Sequence, residues 1–410
     1  MDETEMKVPE GWERKSLIQL ADYINGYGFK PSDWSKDGLP IIRIEQLKNP
    51  YADYDYCNFK IPDKNIINPG DLVFSWSASL FLRIWHGQKA ALNQHLFKVL
   101  PLEGIDKHFL KFLLDNTIED LAKNAQGSTM QHITRKELHT FYTKLPKSPT
   151  EQRQIATILS KVDEAISQTE KLITKYQRIK TGLMQDLLTK GIDEHGNIRS
   201  EETHEFKDSP LGRIPVEWQC VPLGSCIELH NNKRKPISSL LRAKMIGEYP
   251  YYGATGIIDN IDEFRVDGEF VLFGEDGDHF LKWAKQEQTI LVNGRFNVSN
   301  HAHIVKGTEN CSTKWIHYFF SHRDITFYLT RQGAGRFKLN KASLLSLPIL
   351  IPSDVNEQNS IIYKIEKANL NISEIKDNLT KLYSIKTGLM QDLLSGKVRV
   401  NHLLKETEMV

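Results

Sequence analysis

Mostly apolar residues, separated alternately by four and three positions, recur along two stretches of the chain. The first series contains Ile155, Leu159, Val162, Ile166, Thr169, Ile173, Tyr176, Leu183 and Leu187, with Ile179 beside the missing position at Lys180. The second series, 206 residues further on, contains Ile361, Ile365, Ala368, Ile372, Ile375, Leu379, Leu382, Leu389 and Leu393. Each series predicts a helix of about 38 residues that rises roughly 57 Å. So narrow a stripe favours a coiled-coil partner, here the other copy, over a globular core. Two amphipathic helices in two ordinary domains remain the alternative.

The sequence itself is repeated at the same offset. The decapeptide IKTGLMQDLL occurs at residues 179–188 and 385–394. Other landmarks recur 206 positions apart: Pro9 and Trp12 with Pro215 and Trp218, Gln126-Gly127 with Gln332-Gly333, Pro146 with Pro352, and Glu151-Gln152 with Glu357-Gln358. A fixed period indicates a duplicated unit, and two such periods account for the 410 residues.

The repeat predicts an order of domains along the chain. We expect a first recognition domain at 1–148, a helical spacer at 149–190, a polar linker at 191–212, a second recognition domain at 213–354, a second spacer at 355–400 and a tail at 401–410. Because each helix follows a globular block, we interpret it as a rigid spacer outside the core.

Within the blocks, strand-like and helix-like patterns alternate, which predicts an α+β fold. In the first block we expect a strand through Ile41, Ile42 and Ile44, a Pro-Gly turn and strand in 68–76, a helix over 106–124, and a short helix and closing strand after Thr134. In the second block we expect a matching turn and strand in 266–279, two strands in 286–305, and a helix over 313–329. Gly268 lies 198 residues after Gly70, so the two copies lose register by eight residues inside the blocks and recover it at their ends.

Composition narrows the class of protein. The formal net charge of +1 argues against a nonspecific polyelectrolyte binder, although local basic patches can still contact phosphate. The four cysteines form no CxxC pair, which is typical of reduced thiols. No apolar run approaches 18 residues and the N-terminus lacks a signal-like apolar segment. We therefore expect a cytoplasmic protein without a membrane partner.

Motifs for chemistry are missing from the sequence. There is no GxxxxGK[ST] phosphate loop and no [DNS]PP[YFW] methyltransferase tetrapeptide. His301 and His303 could in principle bind a metal, but without an accompanying carboxylate or thiol set we favour structural or hydrogen-bonding roles. Glu374 and Lys376 resemble part of a nuclease motif, yet on a helix two residues apart they face different directions. The sequence thus predicts no catalytic residue, metal site or cofactor in this chain.

Several segments together carry a resemblance to a known family. They are the Pro-Trp openings at Pro9 and Pro215, GFKPSDW with LPIIRIEQL, YPYYGATGIID, VNGRFNVSNHAHI, the Gln-Gly loops at Gln126 and Gln332, the Glu-Gln helix entries and the twin decapeptides. The chain resembles the specificity subunit of type I restriction-modification systems over essentially its whole length.

The resemblance implies a functional arrangement. Two target-recognition domains would each read one half of a split double-stranded DNA site, on two long helices that form an antiparallel coiled coil with pseudo-twofold symmetry. The chain would perform no chemistry. Methyltransferase subunits, two per chain, and restriction subunits would supply it with S-adenosylmethionine, ATP and Mg. A related bifunctional restriction system and a coiled-coil scaffold with no DNA role are the alternatives.

DNA contacts are expected from polar residues in the loops, because Lys, Arg and Ser reach phosphates whereas Arg, Asn and Gln read base edges. In the first block the candidates are Lys30, Ser32, Trp34, Arg43, Gln46, Ser128, Thr129, Gln131 and His132. In the second block they are Asn231, Asn232, Lys233, Arg234, Lys235, Arg295, Asn297, Arg331, Arg336 and Lys338. For a single residue, a solvated loop position is the competing interpretation.

Geometry and partner binding give two further expectations. Readers on an antiparallel helix pair would face half-sites about 34 Å, or one turn of DNA, apart, with a gap set by helix length. The helix regions around Met184 and Met390 are expected to bind methyltransferase subunits. The purified chain alone should then bind DNA weakly or aggregate.

Overall fold

The polypeptide divides into two units that do not follow chain order. Unit 1 combines Met1–Lys171 with Lys376–Val410, and unit 2 comprises Leu172–Ile375. The computed structural model describes residues 8–49, 51–77, 79–124, 133, 135–332 and 336–400, so the tail expected at 401–410 lies outside the described residues. The predicted boundaries differ from these units because each long helix is shared: its first part belongs to one unit and its last part to the other.

Unit 1 is a mixed α+β unit. Its elements are β1 (Trp12–Ser16), β2 (Ala21–Asn25), β3 (Leu39–Ile42), α1 (Ile44–Lys48), β4 (Asp55–Cys57), β5 (Ile66–Ile67), β6 (Leu72–Ser75), β7 (Phe81–Ile84), β8 (Ala90–Leu92), β9 (Leu96–Pro101), α2 (Lys107–Asn124), α3 (Arg135–Thr140), β10 (Tyr142–Pro146) and the first part of α4 (Pro149–Leu187).

Unit 2 begins with the last part of α4 and has the same mixed character. Its further elements are β11 (Phe206–Ser209), β12 (Gly212–Pro215), β13 (Gln219–Pro222), β14 (Ile227–Leu229), α5 (Ser239–Arg242), β15 (Ile246–Tyr252), β16 (Ile257–Ile261), β17 (Val266–Asp267), β18 (Phe270–Gly274), β19 (Thr289–Val292), β20 (Arg295–Val298), β21 (Ala302–Gly307), α6 (Thr313–Phe320), β22 (Thr330–Gln332), β23 (Arg336–Lys338), α7 (Lys341–Ser346), β24 (Pro348–Ile351) and the first part of α8 (Val355–Leu394).

Three sheets are built in the same strand order in both units. The order β2-β9-β6-β7 in unit 1 matches β14-β21-β18-β19 in unit 2, β4-β3-β8-β5 matches β16-β15-β20-β17, and the pair β1-β10 matches β13-β24. Even the parallel pairing of β3 with β8 recurs between β15 and β20. The chain is therefore an α+β protein with an internal repeat, as its sequence predicts.

The central strands β6 and β18 are buried along their whole length, which accounts for their continuous apolar runs. Each is entered through a glycine in the left-handed region, Gly70 at φ 92° and Gly268 at φ 122°. A side chain at either position would strain the turn, so the slipped glycine pair marks equivalent turns in the two copies.

Both units bury parts of the two long helices in their own cores. In unit 1, Ile155 and Leu159 of α4 share a core with Leu393 and Leu394 of α8. In unit 2, Leu187 of α4 shares a core with residues of α8 that include Ile361. The expectation that the helices stay outside the globular cores is therefore wrong: their ends are core elements, because the seam residues there are fully buried.

Within unit 1 the two helix segments run in opposite directions. Asp163 accepts a 2.6 Å contact from the ammonium of Lys386, and further along α4 the carboxylate of Glu170 accepts the Tyr383 hydroxyl at 2.6 Å. As α4 advances, its partner positions on α8 move backwards. Seam residues are buried in both units, as Ile166 is in unit 1 and Ile372 in unit 2, whereas Tyr176 in unit 2 is 38% exposed.

The recurring Glu-Gln dipeptide is a structural lock in both units. The Gln152 amide accepts the backbone N–H of Asp106 and donates to the carbonyls of Gly104 and Pro146. Gln358 makes the same three bonds with Ser312, Asn310 and Pro352, each 206 positions later. The dipeptide therefore ties the first turn of each long helix to the globular part of its own unit.

The glutamate that precedes each of these glutamines binds the segment that follows the other long helix. In unit 2 the Glu357 carboxylate accepts Arg199 Nη1 at 2.6 Å, Trp218 Nε1 at 3.2 Å and the Ile192 backbone N–H at 3.0 Å. In unit 1 Glu151 accepts Arg399 Nε at 2.7 Å and Nη2 at 2.9 Å. The segment that follows each helix thus completes the opposite unit.

Residues 191–212 are more ordered than the polar linker that we expected. Ile192 is buried in the unit 2 core, and β11 pairs with β12 as an antiparallel hairpin. Gly191 has φ 66°, and a Cβ there would lie 2.6 Å from the Trp218 ring, so the chain must pass this point as glycine.

Other local expectations differ in detail. Ile44 begins helix α1 and is not in the strand, because Gln46 caps the Arg43 backbone N–H and turns the chain. Residues 286–305 contribute three strands, and α6 ends at Phe320, well before Leu329. Met184 is buried in the unit 2 core and is therefore not a partner-binding surface residue. None of the described helices is long and apolar enough to cross a bilayer.

Candidate nucleic-acid interface

Several loops of unit 2 meet around the carboxylate of Glu275, which follows β18. Arg234 Nη1 lies 2.6 Å from Glu275 Oε2, and Lys338 Nζ lies 3.3 Å from Oε1. The Leu339 backbone N–H donates to the Glu275 carbonyl, and the Glu275 N–H donates to the carbonyl of His301. Glu275 therefore joins three segments that carry predicted DNA contacts, and it neutralises two of their cations.

His303 fixes the loop that follows β14. Its Nε2–H donates to the Leu339 carbonyl at 2.8 Å, so Nδ1 accepts from the Asn231 amide, also at 2.8 Å. Burial lowers the pKa of His303, which keeps the ring neutral. Asn231 Oδ1 accepts the Ile304 backbone N–H at 3.1 Å. The Asn231 amide is thus a structural bridge inside the unit, which corrects its assignment as a base reader.

The rest of this loop is accessible. Asn232 is exposed, and the half-buried Lys233 ammonium lies 5.8 Å from the centre of the Phe270 ring. Lys235 Nζ contacts Glu263 Oε1 at 2.5 Å, with both side chains 40% exposed. Both cations are available to phosphate, and Lys235 would exchange the Glu263 carboxylate for it.

Two of the predicted residues lie on strand β20, and one is exposed while the other is buried. Arg295 is exposed, stacks 4.7 Å from the Phe264 ring centre and bonds to Asp267 at 3.2 Å; the hydrogen bond to Asp267 raises the pKa of its guanidinium. Asn297 is fully buried and donates to the Glu263 carbonyl. A base contact by Asn297 is therefore excluded, because its side chain is buried and its amide N–H is bonded inside the unit.

The β22–β23 hairpin presents the remaining candidates of unit 2. Arg331 is exposed and its guanidinium lies 5.1 Å from the Phe337 ring centre. Lys338 also forms a β-bridge with Asp276, which docks the hairpin onto the Glu275 loop. Arg336 begins β23, but its side chain lies outside the described residues.

In unit 1 the candidates lie around an exposed tryptophan. Trp34 is 46% exposed, and the Arg43 guanidinium lies 4.8 Å from its ring centre and 2.7 Å from Asp55. Lys30 precedes a short 3-10 helix that contains Ser32, and both residues are exposed. Gln46 is buried, and its amide bonds the Arg43 N–H and the Asp53 carbonyl, so its assignment as a base reader is corrected.

Four candidates, Ser128, Thr129, Gln131 and His132, lie outside the described residues. Ile133, which follows them in the sequence, donates its backbone N–H to the Trp76 carbonyl at 3.1 Å, as Leu339 does to Glu275 in unit 2. Ile133 and Leu339, 206 positions apart, are thus each bonded to the residue that follows the central strand of their unit.

Sequence reasoning did not select two exposed pairs of residues as DNA contacts. Gln94 and His95 occupy a turn in unit 1, and Asn300 and His301 occupy the equivalent turn 206 residues later. The signal was present, since an amide followed by histidine recurs at the period of the repeat.

Comparisons with known proteins agree with this architecture. The family model described as "Type I restriction modification DNA specificity domain" matches residues 9–179 and 215–381. The chain is 25% identical to the MjaVIII type I restriction enzyme specificity subunit of Methanocaldococcus jannaschii, over 97% of this chain and 95% of that protein.

Solved structures share the fold at low sequence identity. The S subunit of a type I restriction-modification system from M. genitalium matches with a TM-score of 0.58 and 15% identity, over 95% of this chain and 98% of that one. A chain from a structure described as the basis of complex assembly and conformational transition of the type I R-M system matches with a TM-score of 0.58 and 15% identity, covering 96% and 100%.

Because the family model matches most of the chain, the protein belongs to the type I restriction-modification DNA specificity family. It is a DNA-recognition subunit, and its two matched segments are the two copies of the repeat.

Proposed function

We propose that this subunit reads a bipartite, asymmetric DNA site, one half-site with each unit. The observation that carries the proposal is that the two units share one scaffold but differ in the segments that follow β6 and β18. Three sheets recur in the same strand order, whereas the residues 76–80 that follow β6 correspond to the much longer 275–288 after β18. Two identical readers would favour a palindromic site, and two unlike readers require an asymmetric one.

The residues that contact DNA are those of the predicted set that remain exposed or half-buried. In unit 1 they are Lys30, Ser32, Trp34 and Arg43, and in unit 2 they are Asn232, Lys233, Arg234, Lys235, Arg295, Arg331 and Lys338. Most of these cations pair with a carboxylate in the free protein, as Arg43 does with Asp55 and Arg295 with Asp267. Phosphate replaces these carboxylates on binding, which gives modest affinity for nonspecific DNA and suits a reader that selects by sequence.

The two long helices form one antiparallel coiled coil that sets the gap between half-sites. Support comes from the opposed order of the Asp163–Lys386 and Glu170–Tyr383 contacts in unit 1. Further support comes from unit 2, where Leu187 near the end of α4 packs with Ile361 near the start of α8. Each helix spans a fixed number of turns, so the gap is a fixed number of base pairs.

The subunit acts with partners that perform the chemistry. Two methyltransferase subunits bind its two equivalent helical surfaces, and restriction subunits join through them. S-adenosylmethionine, ATP and Mg belong to these partners. The internal repeat supports two equivalent attachment sites. A similar chain comes from a structure concerned with type I complex assembly. The described residues contain no cluster of three potential metal ligands.

The direct test is to express the chain with its methyltransferase partner and map the methylated adenines across a genome. We expect one bipartite motif with unlike halves and a constant gap. Replacing residues 213–354 with the same region of another family member should change one half of the motif and leave the other unchanged. A contiguous motif, or binding to a protein partner that is insensitive to salt without any DNA binding, would contradict the proposal.

A further inference from the structure

Two tight turns occupy equivalent positions in the units. In unit 1 the turn between β8 and β9 contains residues 93–95, and in unit 2 the turn between β20 and β21 contains residues 299–301. Asn93 Oδ1 accepts the His95 backbone N–H at 3.2 Å, and Ser299 Oγ accepts the His301 N–H at 3.2 Å. Both turns are therefore closed by the same side-chain bond, which holds the following residues in one geometry.

The middle residue of each turn is an uncommitted amide. Gln94 and Asn300 are exposed, while Leu96 and Ala302 just beyond them are fully buried. Within the part of the chain that the structure describes, neither the Gln94 nor the Asn300 side-chain amide has a hydrogen-bond partner. Each amide therefore carries a free donor and a free acceptor on a rigid turn between two buried strands.

Both turns lie directly beside the loops that carry the proposed phosphate contacts. In unit 1 the Tyr27 backbone N–H donates to the Leu92 carbonyl at 2.7 Å, and the Gln94 side chain lies next to Gly28. In unit 2 the Lys235 N–H donates to the Val298 carbonyl at 3.0 Å, and Arg234 Nη1 lies 3.3 Å from the Asn300 carbonyl. The Asn300 amide thus lies beside a cation that can hold the DNA backbone, and the Gln94 amide lies beside the loop that leads to Lys30.

The chemistry of the two groups then separates their roles. The surrounding cations are paired with carboxylates and serve phosphates, whereas a neutral amide has no charge to attract a phosphate. A Gln or Asn amide matches the N6 donor and N7 acceptor of adenine in the major groove. We infer that Gln94 and Asn300 are base-reading residues, each recognising one A·T pair in the half-site of its own unit. This inference rests on the proposed function, and it names the specificity residues of that site.

The test uses the full-length chain in complex with its methyltransferase partner. Variants Gln94→Ala and Asn300→Ala are compared with Gln88→Ala and Asn310→Ala, which remove exposed amides at the opposite ends of β8 and β21. Methylation is scored on a library in which every position of the wild-type motif is varied.

Gln94→Ala should lower the preference for adenine at one position of one half-site by roughly 5- to 150-fold and leave the other half-site unchanged. Asn300→Ala should do the reverse, and both controls should keep the wild-type motif. A second pair, Gln94→Glu and Asn300→Asp, retains size but offers only acceptors. These variants should shift the same position towards cytosine, whose N4 amino group is a donor.

Failure of the inference differs from failure of the proposed function. If the wild-type complex reads an asymmetric bipartite motif and all four variants keep it, Gln94 and Asn300 do not read bases. A uniform loss of affinity for all sequences would assign them to phosphate contact or folding, which also overturns the inference. If the wild-type complex itself shows no bipartite motif, the proposed function is overturned.

Discussion

Units 1 and 2 differ most where β6 and β18 end. In unit 1 residues 76–80 connect β6 to β7, and the Trp76 ring centre lies 5.5 Å from that of Phe97 and 6.1 Å from that of His95. In unit 2 residues 275–288 replace this crossing and bring in Glu275, which binds Arg234 and Lys338.

Their constant part is equally specific. The Gln152 and Gln358 amides bond the same three backbone positions in each copy, and Glu151 and Glu357 each bind an arginine from the segment that follows the other helix. The residues that join the helices to the sheets are the same in both units, whereas the segment after the central strand makes aromatic contacts in unit 1 and ion pairs in unit 2. A duplicated scaffold of this kind can change one half-site without altering the other.

The largest effect is expected from lengthening both helices. Four residues added after Lys171 in α4 and after Ile375 in α8, where the chain passes from one unit to the other, add about 6 Å of helix. The preferred gap should then lengthen while both half-site sequences persist, as measured by genome-wide methylation mapping. An insertion in α4 alone provides the control, since it puts the seams out of register. An unchanged gap in the double variant would contradict the spacer role.

Removing the glutamate locks should destabilise the units unequally. Glu357→Ala leaves Arg199, whose side chain is 11% exposed, as a buried charge without its partner and should cost about 3–5 kcal/mol in the stability of unit 2. Arg399, at 30% exposure, retains more water, so Glu151→Ala should cost unit 1 less, about 1–3 kcal/mol. Hydrogen exchange resolved by peptide measures both. Equal losses, or a loss in the unit that does not contain the substitution, would contradict the arrangement.

Acid should destabilise unit 2 more than unit 1. Burial lowers the pKa of His317 to about 4, although Glu287 opposes the shift while Lys180 and His322 add to it. The unfolded chain binds a proton at His317 below about pH 6.5, and the folded chain does so only near pH 4, so acidification across this window favours unfolding. The loss is up to about 3 kcal/mol, and the lowered pKa values of His303 and His279 act in the same direction.

Unit 1 has Phe97 and Lys111 at the positions equivalent to His303 and His317. Hydrogen exchange at pH 7 and pH 5 should therefore show greater loss of protection in unit 2, and His317→Gln should reduce the difference. Equal protection of the two units at pH 5 would contradict this assignment.

The smallest effect is expected from releasing a paired cation. Glu263→Gln frees Lys235, so the complex should bind DNA a few-fold more tightly, with a salt dependence steeper by about one counterion. Asp55→Asn should act similarly through Arg43 in unit 1. Asp208→Asn, which removes one of the two carboxylates paired with Arg213 on the β11–β12 hairpin, is the control. An unchanged salt slope for Glu263→Gln would remove Lys235 from the interface.

Much of the scaffold could be predicted, because periodic patterns in the sequence specify it. The apolar series that begin at Ile155 and Ile361 located the two long helices, and the offset between Gly70 and Gly268 located the equivalent turns. The sharing of each helix between units could not be predicted, since a seam residue looks the same beside a helix or beside a core. Both kinds of neighbour bury it.

The candidate interface was predicted less well, because residue type does not reveal burial. Gln46 and Asn297 have the chemistry of base readers, but their side-chain amides are buried and donate to backbone carbonyls inside the fold. Gln94 lies in a strand-rich stretch with no lysine or arginine beside it, so composition alone gave no reason to single it out. The recurrence of an amide followed by histidine at Asn300 was a signal in the sequence, but only the structure shows that the turn is exposed.

Gly396, just beyond the end of α8, has φ 74°, and a side chain there would approach Pro9 to 2.8 Å and press on Trp12. The segment around Gly396 therefore packs over Trp12, the first tryptophan of the chain. A protein truncated just before Gly396 would lose this packing against Trp12. The truncation would therefore affect unit 1, most of which is encoded at the opposite end of the gene. Such a truncation should abolish recognition of the half-site read by unit 1 and leave recognition of the half-site read by unit 2 unchanged.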